Sequence, residues 1–437
     1  MVNGNGENAP TQKRKFLFVS FEGLIHDLAW QVQKEGHDVK YSIKAADQKD
    51  VGDGFVPKVD DWKDHKDWAD CIVFDDVGFG EEADRLRKSG KLVVGGSAYT
   101  DKLEDDREFG QSELKDAGVN TLSRQNFSDF DEGIAFVQKN PGRYVIKPSG
   151  AVQNEKELLF IGQEEDGKDI VDVLQHYKKM WSKKIKQFQI QKYASGVEVG
   201  VSAFFNGYEF VYPVHVTFEH KRMFPGDIGP NTGEMGTAAF FSQPNPLFEH
   251  TLAKMRDRLA SCRYVGYIDL NCIVNARGVY PLEFTSRFGY PTIHLQMEGV
   301  TSGWGDFLFD LASGQKAELR AKKGFQICVV IAVPPFPFED PKAFKKYSED
   351  ATVLFKKPSR EGVHPGDVKV DADGDWHLAG NSGYALVITG SGTTMEDARK
   401  QAYSRVENIM IPNMFYRTDI GEKWRTDGDK LLTWGYL

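Results

Sequence analysis

The stretch GYIDLNCIVNARGVYPLEFTSRFG, Gly266 to Gly289, decides how this chain of 437 residues is read. Period-two alternation places Tyr267, Asp269 and Asn271 on one face of a first strand, with Ile268, Leu270 and Cys272 on the other. In a second strand Leu282, Phe284 and Ser286 oppose Glu283, Thr285 and Arg287. The three residues Asn275-Ala276-Arg277, followed by Gly278, predict a hairpin loop. With Ala276 at its centre, Asp269 and Glu283 face each other, their Cβ atoms about 4.5–5.5 Å apart. Like charges at that distance are destabilising unless a cation or a shared proton compensates. Hard oxygen ligands on a rigid hairpin suit Mg²⁺, which takes one or two carboxylates and leaves its other positions to water and phosphate oxygens. Arg287 on the same face is placed to hold a phosphate. A slightly different register leaves two solvated surface acids instead, and spacing alone leaves both readings open.

Outward from the hairpin, the pattern changes twice. On the N-terminal side, KFLFVSF (Lys15 to Phe21), ADCIVFDD and KLVVGG read as strands alternating with helices, a parallel α/β unit. A helix from Asp105 to Ala117 is predicted to end at Gly118. From Tyr144 the segments YVIKPSG, LLFIGQ, FQIQKY and VEVGVSAFFNGYEFVYPVHVTF read as strands of a mixed sheet, and a helix is expected over Pro246–Cys262. Beyond Gly324, FQICVVIAV, WHLAG and YALVITG alternate with a helix over Thr394–Met410. The expected organisation is a disordered tail (1–13), an N-terminal α/β substrate domain (14–104), a central α+β domain (105–322, with a lid at about 118–192), a small C-terminal α+β domain (323–421) and an extension (422–437).

Composition bounds the function class. Lys and Arg number 55 against 64 Asp and Glu, a formal charge of −9, which argues against binding free nucleic acid through its backbone. No apolar run approaches the roughly 20 residues of a membrane helix. The polar N-terminus MVNGNGENAPTQKRK lacks the apolar core of a secretion signal. Cys71, Cys262, Cys272 and Cys328 are scattered without a CxxC pair and read as thiols of a reducing compartment. A soluble, cytoplasmic, multidomain protein is expected.

The hairpin's second strand, PLEFTSRFGYP, resembles the EFNxRFGDPE signature of the phosphoribosylamine–glycine ligase (glycinamide ribonucleotide synthetase) family of purine biosynthesis, within the ATP-grasp superfamily. HKRMFPGDIGPNTGEMGT (His220 to Thr237) is similar to that family's HKR…GPNTGGMGA loop, and YVIKPSG to its VIKADG strand. QKYASGVEVG, ITGSGTTMEDARKQAY, MFYRTDIG and GLIHDLAW resemble further family segments in the same order, so the likeness runs from about residue 15 to 421. It implies an ATP-grasp fold. It also implies an enzyme that phosphorylates a carboxylate with ATP and passes the acyl phosphate to an amine, releasing ADP and phosphate, with Mg²⁺ or Mn²⁺ as metal. Stabilising phosphoryl charge is most of such catalysis, which explains the cations.

By this resemblance Lys147 reaches the ATP phosphates, with Arg107 where the family has its other phosphate-contacting lysine and Lys221 on the same side. Gln191, Lys192 and Ala194 form the adenine hinge, and Glu198 the acidic position near the ribose. Glu283 is the principal metal carboxylate; Thr285 replaces a metal-binding asparagine, and Asp269 falls where other ATP-grasp enzymes place a second metal ligand. Gly23, Asp227, Asn231, Thr232, Gly233, Arg287 and Arg417 fall on the substrate side, Arg287 and Asn231 being catalytic candidates together with Lys147. Partners are small molecules, with monomer or homodimer left open.

The departures cluster on the amine side. The family's GxGGREH phosphate turn reads SFEGLIH (Ser20 to His26), its GPEAPL segment reads FDDVGFG, its lid GLAAGKGV reads GAVQNEKELL, keeping Gly150 and Lys156, and the second glycine of TGGMGA is Glu234. Asp75 and Asp76 would repel a phosphate dianion. The expectation is therefore a ligase of this type with glycine or another amino acid as carboxylate and a changed amine acceptor, such as a modified nucleoside or nucleotide. The alternatives are an authentic phosphoribosylamine–glycine ligase and a nucleotide-binding pseudoenzyme.

Overall fold

The computed structural model describes residues 12–149, 159–338 and 340–437. Most of the predicted tail, and the lid positions Gly150 and Lys156, lie outside these residues.

The apolar strand Lys15–Ser20 is the second of four parallel strands, between Asp38–Ile43 and Cys71–Phe74, with Leu92–Val94 at the far edge. Helices His26–Lys34 and Gly80–Lys88 make the crossovers that parallel pairing requires. In-register pairing of Val19 with Phe74 brings the carboxyl ends of two strands together, so Ser20 and Asp75 emerge side by side at the edge where open α/β sheets bind ligands.

The main body is an eight-stranded sheet in the order Gly278–Thr285, Val265–Asn275, Val197–Asn206, Phe210–Glu219, Gly236–Ser242, Phe325–Ala332, Tyr384–Gly392 and Val363–Pro365. Phe325–Ala332 is nearly all apolar and buried, as a strand covered on both faces must be. Helix Met395–Val406 packs on one face of its last long strand, and helix Thr292–Gly299 lies across the strands at 236–242, 325–332 and 384–392. A separate four-stranded antiparallel sheet, Arg124–Phe127, Gln187–Lys192, Tyr144–Ser149 and Phe160–Ile161, stands opposite. It carries helices Phe130–Lys139 and Lys168–Trp181 over its own small core. A cleft lies between this sheet and the main one.

Three local expectations are corrected. The predicted helix at 105–117 is Arg107–Asp116, started by the Asp106 side chain, which accepts from the Phe109 N–H, and preceded by a separate helix, Ala98–Asp105. The helix expected over 246–262 is broken into Pro246–His250, a 3₁₀ turn Leu252–Met255 and Arg256–Ser261, because the Thr251 backbone leaves helical geometry. In the decisive hairpin, Asn275 pairs with Gly278 across the two-residue turn Ala276-Arg277, and a bulge at Leu282 shifts the register beyond it. Asp269 therefore lies opposite Thr285, and Asn271, not Asp269, lies opposite Glu283. The shorter turn and the inserted residue each shift the register by one, and together they exchange the partners because each β pairing depends on a strict count.

Candidate active site

The face of the hairpin turned to the cleft carries Glu283 and Thr285 from one strand and Asp269 and Asn271 from the other. Sequence reasoning passed over Asn271 and Glu219. The Asn271 Nδ2 donates to Glu219 Oε2 at 2.9 Å and to Glu198 Oε1 at 3.2 Å, while its Oδ1 is buried without a partner among the described residues. Lys221 Nζ sits among Glu198 (2.8 Å), Glu219 (3.1 Å) and Glu283 (3.4 Å). Glu198, expected near a ribose, is thus tied to this charge cluster. Glu219 could have been found from its place at the end of an alternating strand, two residues before Lys221.

Lys221 is the chief reason that the Glu283 carboxyl is held below its usual range, with Lys147 and Arg107 adding to it. Burial pushes the Glu219 and Asp269 carboxyls up. Glu283 with the orphaned Asn271 oxygen makes a hard-oxygen pair of the kind Mg²⁺ accepts when phosphate oxygens supply its other positions. The residues fit such a metal. Thr285 stands one pleat away, able to bind through its hydroxyl or a water.

Across the cleft, Lys147 projects from the strand Tyr144–Ser149. Burial, and then Arg107 beside it, bring its ammonium down to about 8. Arg107, at the start of its helix, donates from Nη1 to the Pro148 carbonyl at 2.8 Å, so the two cations are held against one backbone. Lys147, Gln191, Lys192, Ala194, Glu198, Lys221, Asp227, Asn231 and Glu283 line one cavity of about 700 Å³, large enough for a nucleotide. Arg107, Gly233, Asp269, Thr285 and Arg287 line an adjoining one of about 290 Å³, which shares Lys221 and Glu283 with the first.

The loop after His220 is pinned from within. Both the N–H and the Oγ1 of Thr232 donate to the Lys221 carbonyl, at 2.8 and 2.9 Å. Asp227, whose φ of +58° is left-handed, accepts from Arg417 Nη1 at 2.9 Å and also pairs with Lys423. Arg417, expected to face substrate, is instead fully buried and donates to Asp419 and to the Arg222 carbonyl. Its role here is to anchor the loop, because a buried guanidinium requires every donor to be met.

The amine side is likewise closed internally. Asp75 Oδ1 accepts from the Phe21 N–H at 3.1 Å, its Oδ2 accepts from Ser20 Oγ and from the Tyr290 hydroxyl, and the Gly23 N–H donates to Ser20 Oγ at 2.8 Å. Of the turn donors with which a phosphate would be cradled, the Ser20 hydroxyl and the Phe21 N–H are taken by this chain's own carboxylate and the Gly23 N–H by the Ser20 oxygen. Burial and the neighbouring Asp76 push Asp75 up to about 7. Arg287, placed by the sequence to hold a phosphate, pairs with Glu104 at 3.2 Å and Asp76 at 3.4 Å. Glu104 and Tyr290 carried no sequence signal, since their partners are far away in the chain.

Among the described residues, no helix is long and apolar enough to cross a membrane. The four cysteines are free thiols.

Comparison with known proteins agrees with this geometry. Residues 105–293 match the family model of the phosphoribosylglycinamide synthetase ATP-grasp (A) domain, and residues 326–423 match the model of that synthetase's C domain. A phosphoribosylamine–glycine ligase of Listeria monocytogenes is 27% identical over 350 residues, 78% of this chain and 80% of its own length. One from Halalkalibacterium halodurans is 26% identical, covering 78% of each chain. Among solved structures, phosphoribosylamine–glycine ligase from Thermotoga maritima superposes with a TM-score of 0.69 at 22% identity, over 93% of this chain and 100% of that one. The biotin carboxylase domain of 2-oxoglutarate carboxylase from Hydrogenobacter thermophilus, solved with MgADP, gives 0.62 at 14% identity over 93% of this chain and 92% of that one. Both place the chain in the ATP-grasp fold.

Proposed function

Because the chain belongs to the phosphoribosylglycinamide synthetase family, ATP-grasp enzymes that form carbon–nitrogen bonds, we propose that it is a phosphoribosylamine–glycine ligase, joining glycine to phosphoribosylamine at the expense of ATP. The observation that carries this reading is the convergence of Lys147, Arg107 and Lys221 on Glu283 across a cleft between two antiparallel sheets. Lys147 and Arg107 stabilise charge on the transferring phosphoryl group, and the strand edge Gln191–Ala194 offers backbone groups to adenine. Glu283 and the Asn271 oxygen would hold Mg²⁺, with Thr285 beside them, and a metal bound there would supply neutralisation of phosphate charge. The GPNTG loop, braced by Thr232 and Arg417, presents Asn231 to the reacting carboxylate.

A second reading, the same ligase chemistry on a different amine, is favoured by one observation: Asp75 occupies the Ser20 hydroxyl and the Phe21 N–H at the start of the turn. A phosphate dianion entering there must displace a carboxylate. One assay separates the two. ATP, Mg²⁺, glycine and freshly generated phosphoribosylamine are supplied and glycinamide ribonucleotide is measured. Turnover on the order of 1–10³ per second supports the first reading. Absence of product, with ADP release restored by another amine, supports the second.

A further inference from the structure

We infer that the smaller cavity contains a subsite for an ammonium group, lined by Asp269 and Glu234, with the Thr217 hydroxyl beside Asp269. The inference rests on the ligase reading for its place beside the nucleotide. Asp269 and Glu234 are 5% and 8% exposed, and both line the cavity of about 290 Å³ between the hairpin and the start of helix Thr292–Gly299. Asp269 Oδ2, Glu234 Oε1 and Thr217 Oγ1 are buried and have no hydrogen-bond partner among the described residues. Buried acceptors left unpaired are costly, and carboxylates most of all. The nearest lysine does not answer them: Lys221 is engaged by Glu198, Glu219 and Glu283.

The backbone leaves space for what is missing. A Cβ on Gly200 would stand 2.3 Å from Thr217 Oγ1 and 3.1 Å from Asp269 Oδ2, so both oxygens crowd one point above a residue with no side chain. Among the described residues no three acidic, histidine or cysteine side chains are grouped to hold a metal ion by themselves. An ammonium group suits the place better, bringing several donors to carboxylate oxygens that have none. Neither carboxylate belongs to the pattern that the family resemblance implies, since Glu234 stands at a glycine position and Asp269 at one where that family has no metal ligand. The ammonium has two sources, the α-amino group of the carboxylate substrate or the acceptor amine.

Calorimetry on the full chain tests this, with Mg²⁺ and a non-hydrolysable ATP analogue present, and glycine, glycolate and methylammonium as probes. Glycine is expected to bind at least about tenfold more tightly than glycolate, the factor that one charged hydrogen bond supplies. Glu234→Gln and Asp269→Asn, both nearly isosteric, should each shrink that preference to less than about threefold. Methylammonium that competes with glycine assigns the site to the α-amino group; methylammonium that binds alongside glycine assigns it to the acceptor. Equal binding of glycine and glycolate with no binding of methylammonium overturns the inference, as does methylammonium binding that is unchanged in both variants. Failure of the ATP analogue to bind counts against the ligase reading instead, and the methylammonium titration without nucleotide still decides the subsite.

Discussion

Replacing Lys147 with Met should weaken the enzyme and strengthen the fold. Burial and the adjacent Arg107 bring the Lys147 ammonium from its ordinary 10.5 to about 8. Keeping it charged at pH 7 therefore costs about 3 kcal/mol in the nucleotide-free protein. Part of the side chain meets solvent in the cleft, and Met also forfeits the attraction of Glu283, so the expected gain in stability is about 1–2 kcal/mol. The sign follows from linkage. A lysine with a lowered pKa penalises the folded state below about pH 8, and that penalty fades as the pH rises toward 10.5. The difference in melting temperature between Lys147→Met and the parent should thus be positive at pH 7 and shrink above pH 9. Turnover should fall about a hundredfold, near 3 kcal/mol of transition-state stabilisation. Parent turnover should also decline as the pH rises through about 8, where the ammonium is lost, and the variant should lack that limb. Thermal unfolding with and without Mg·ATP, paired with ADP release across pH 6.5–10, measures all of this. A variant less stable than the parent at pH 7, or one of unchanged turnover, refutes the reasoning.

Glu283→Gln should abolish metal-dependent nucleotide binding, because the hard anionic ligand is lost while Lys221 remains; titration of Mg·ATP by calorimetry checks it, and an unchanged affinity counts against the metal assignment. Glu298, which ties helix Thr292–Gly299 to Arg405 and Lys322, is brought down to about 2 although burial alone would raise it. Its contribution is full above its ordinary pKa of 4.5 and is lost as the pH falls through about 2. Glu298→Gln should cost about 2–3 kcal/mol in urea unfolding at pH 7, and little at pH 2. Asp75 is pushed the other way, to about 7, so its charge burdens the folded state increasingly as the pH rises from about 4 through 7. Asp75→Asn should raise the melting temperature at pH 8 and leave it unchanged near pH 4; equal shifts at both pH values would remove the buried charge as the cause.

How much could be read before folding depends on the range of each interaction. The strand Lys15–Ser20, the buried run Phe325–Ala332 and the hairpin itself declare themselves through side-chain alternation, a property of a few consecutive residues. The cleft cations Lys147 and Arg107 and the carboxylate Glu283 are legible for a related reason: each sits in a short segment whose residue order resembles a known phosphoryl-transfer site. The partner of Glu283 was not legible. A turn shorter by one residue and a bulge at Leu282 together give it Asn271 and hand Asp269 to Thr285. No local pattern marks a bulge, since the extra residue matters only through its pairing with another strand. The occupation of Arg417 by Asp227 and Asp419, of Arg287 by Glu104 and Asp76, and of the Ser20 turn by Asp75 was equally hidden. Four of these five contacts join residues at least 54 positions apart, and the fifth, Arg417 to Asp419, is set by the way the chain turns back on itself there. Sequence alone determined which charges this protein carries and on which strands they stand. Tertiary structure decided which of them neutralise one another, because Coulomb energy falls with distance in space and takes no account of distance along the chain.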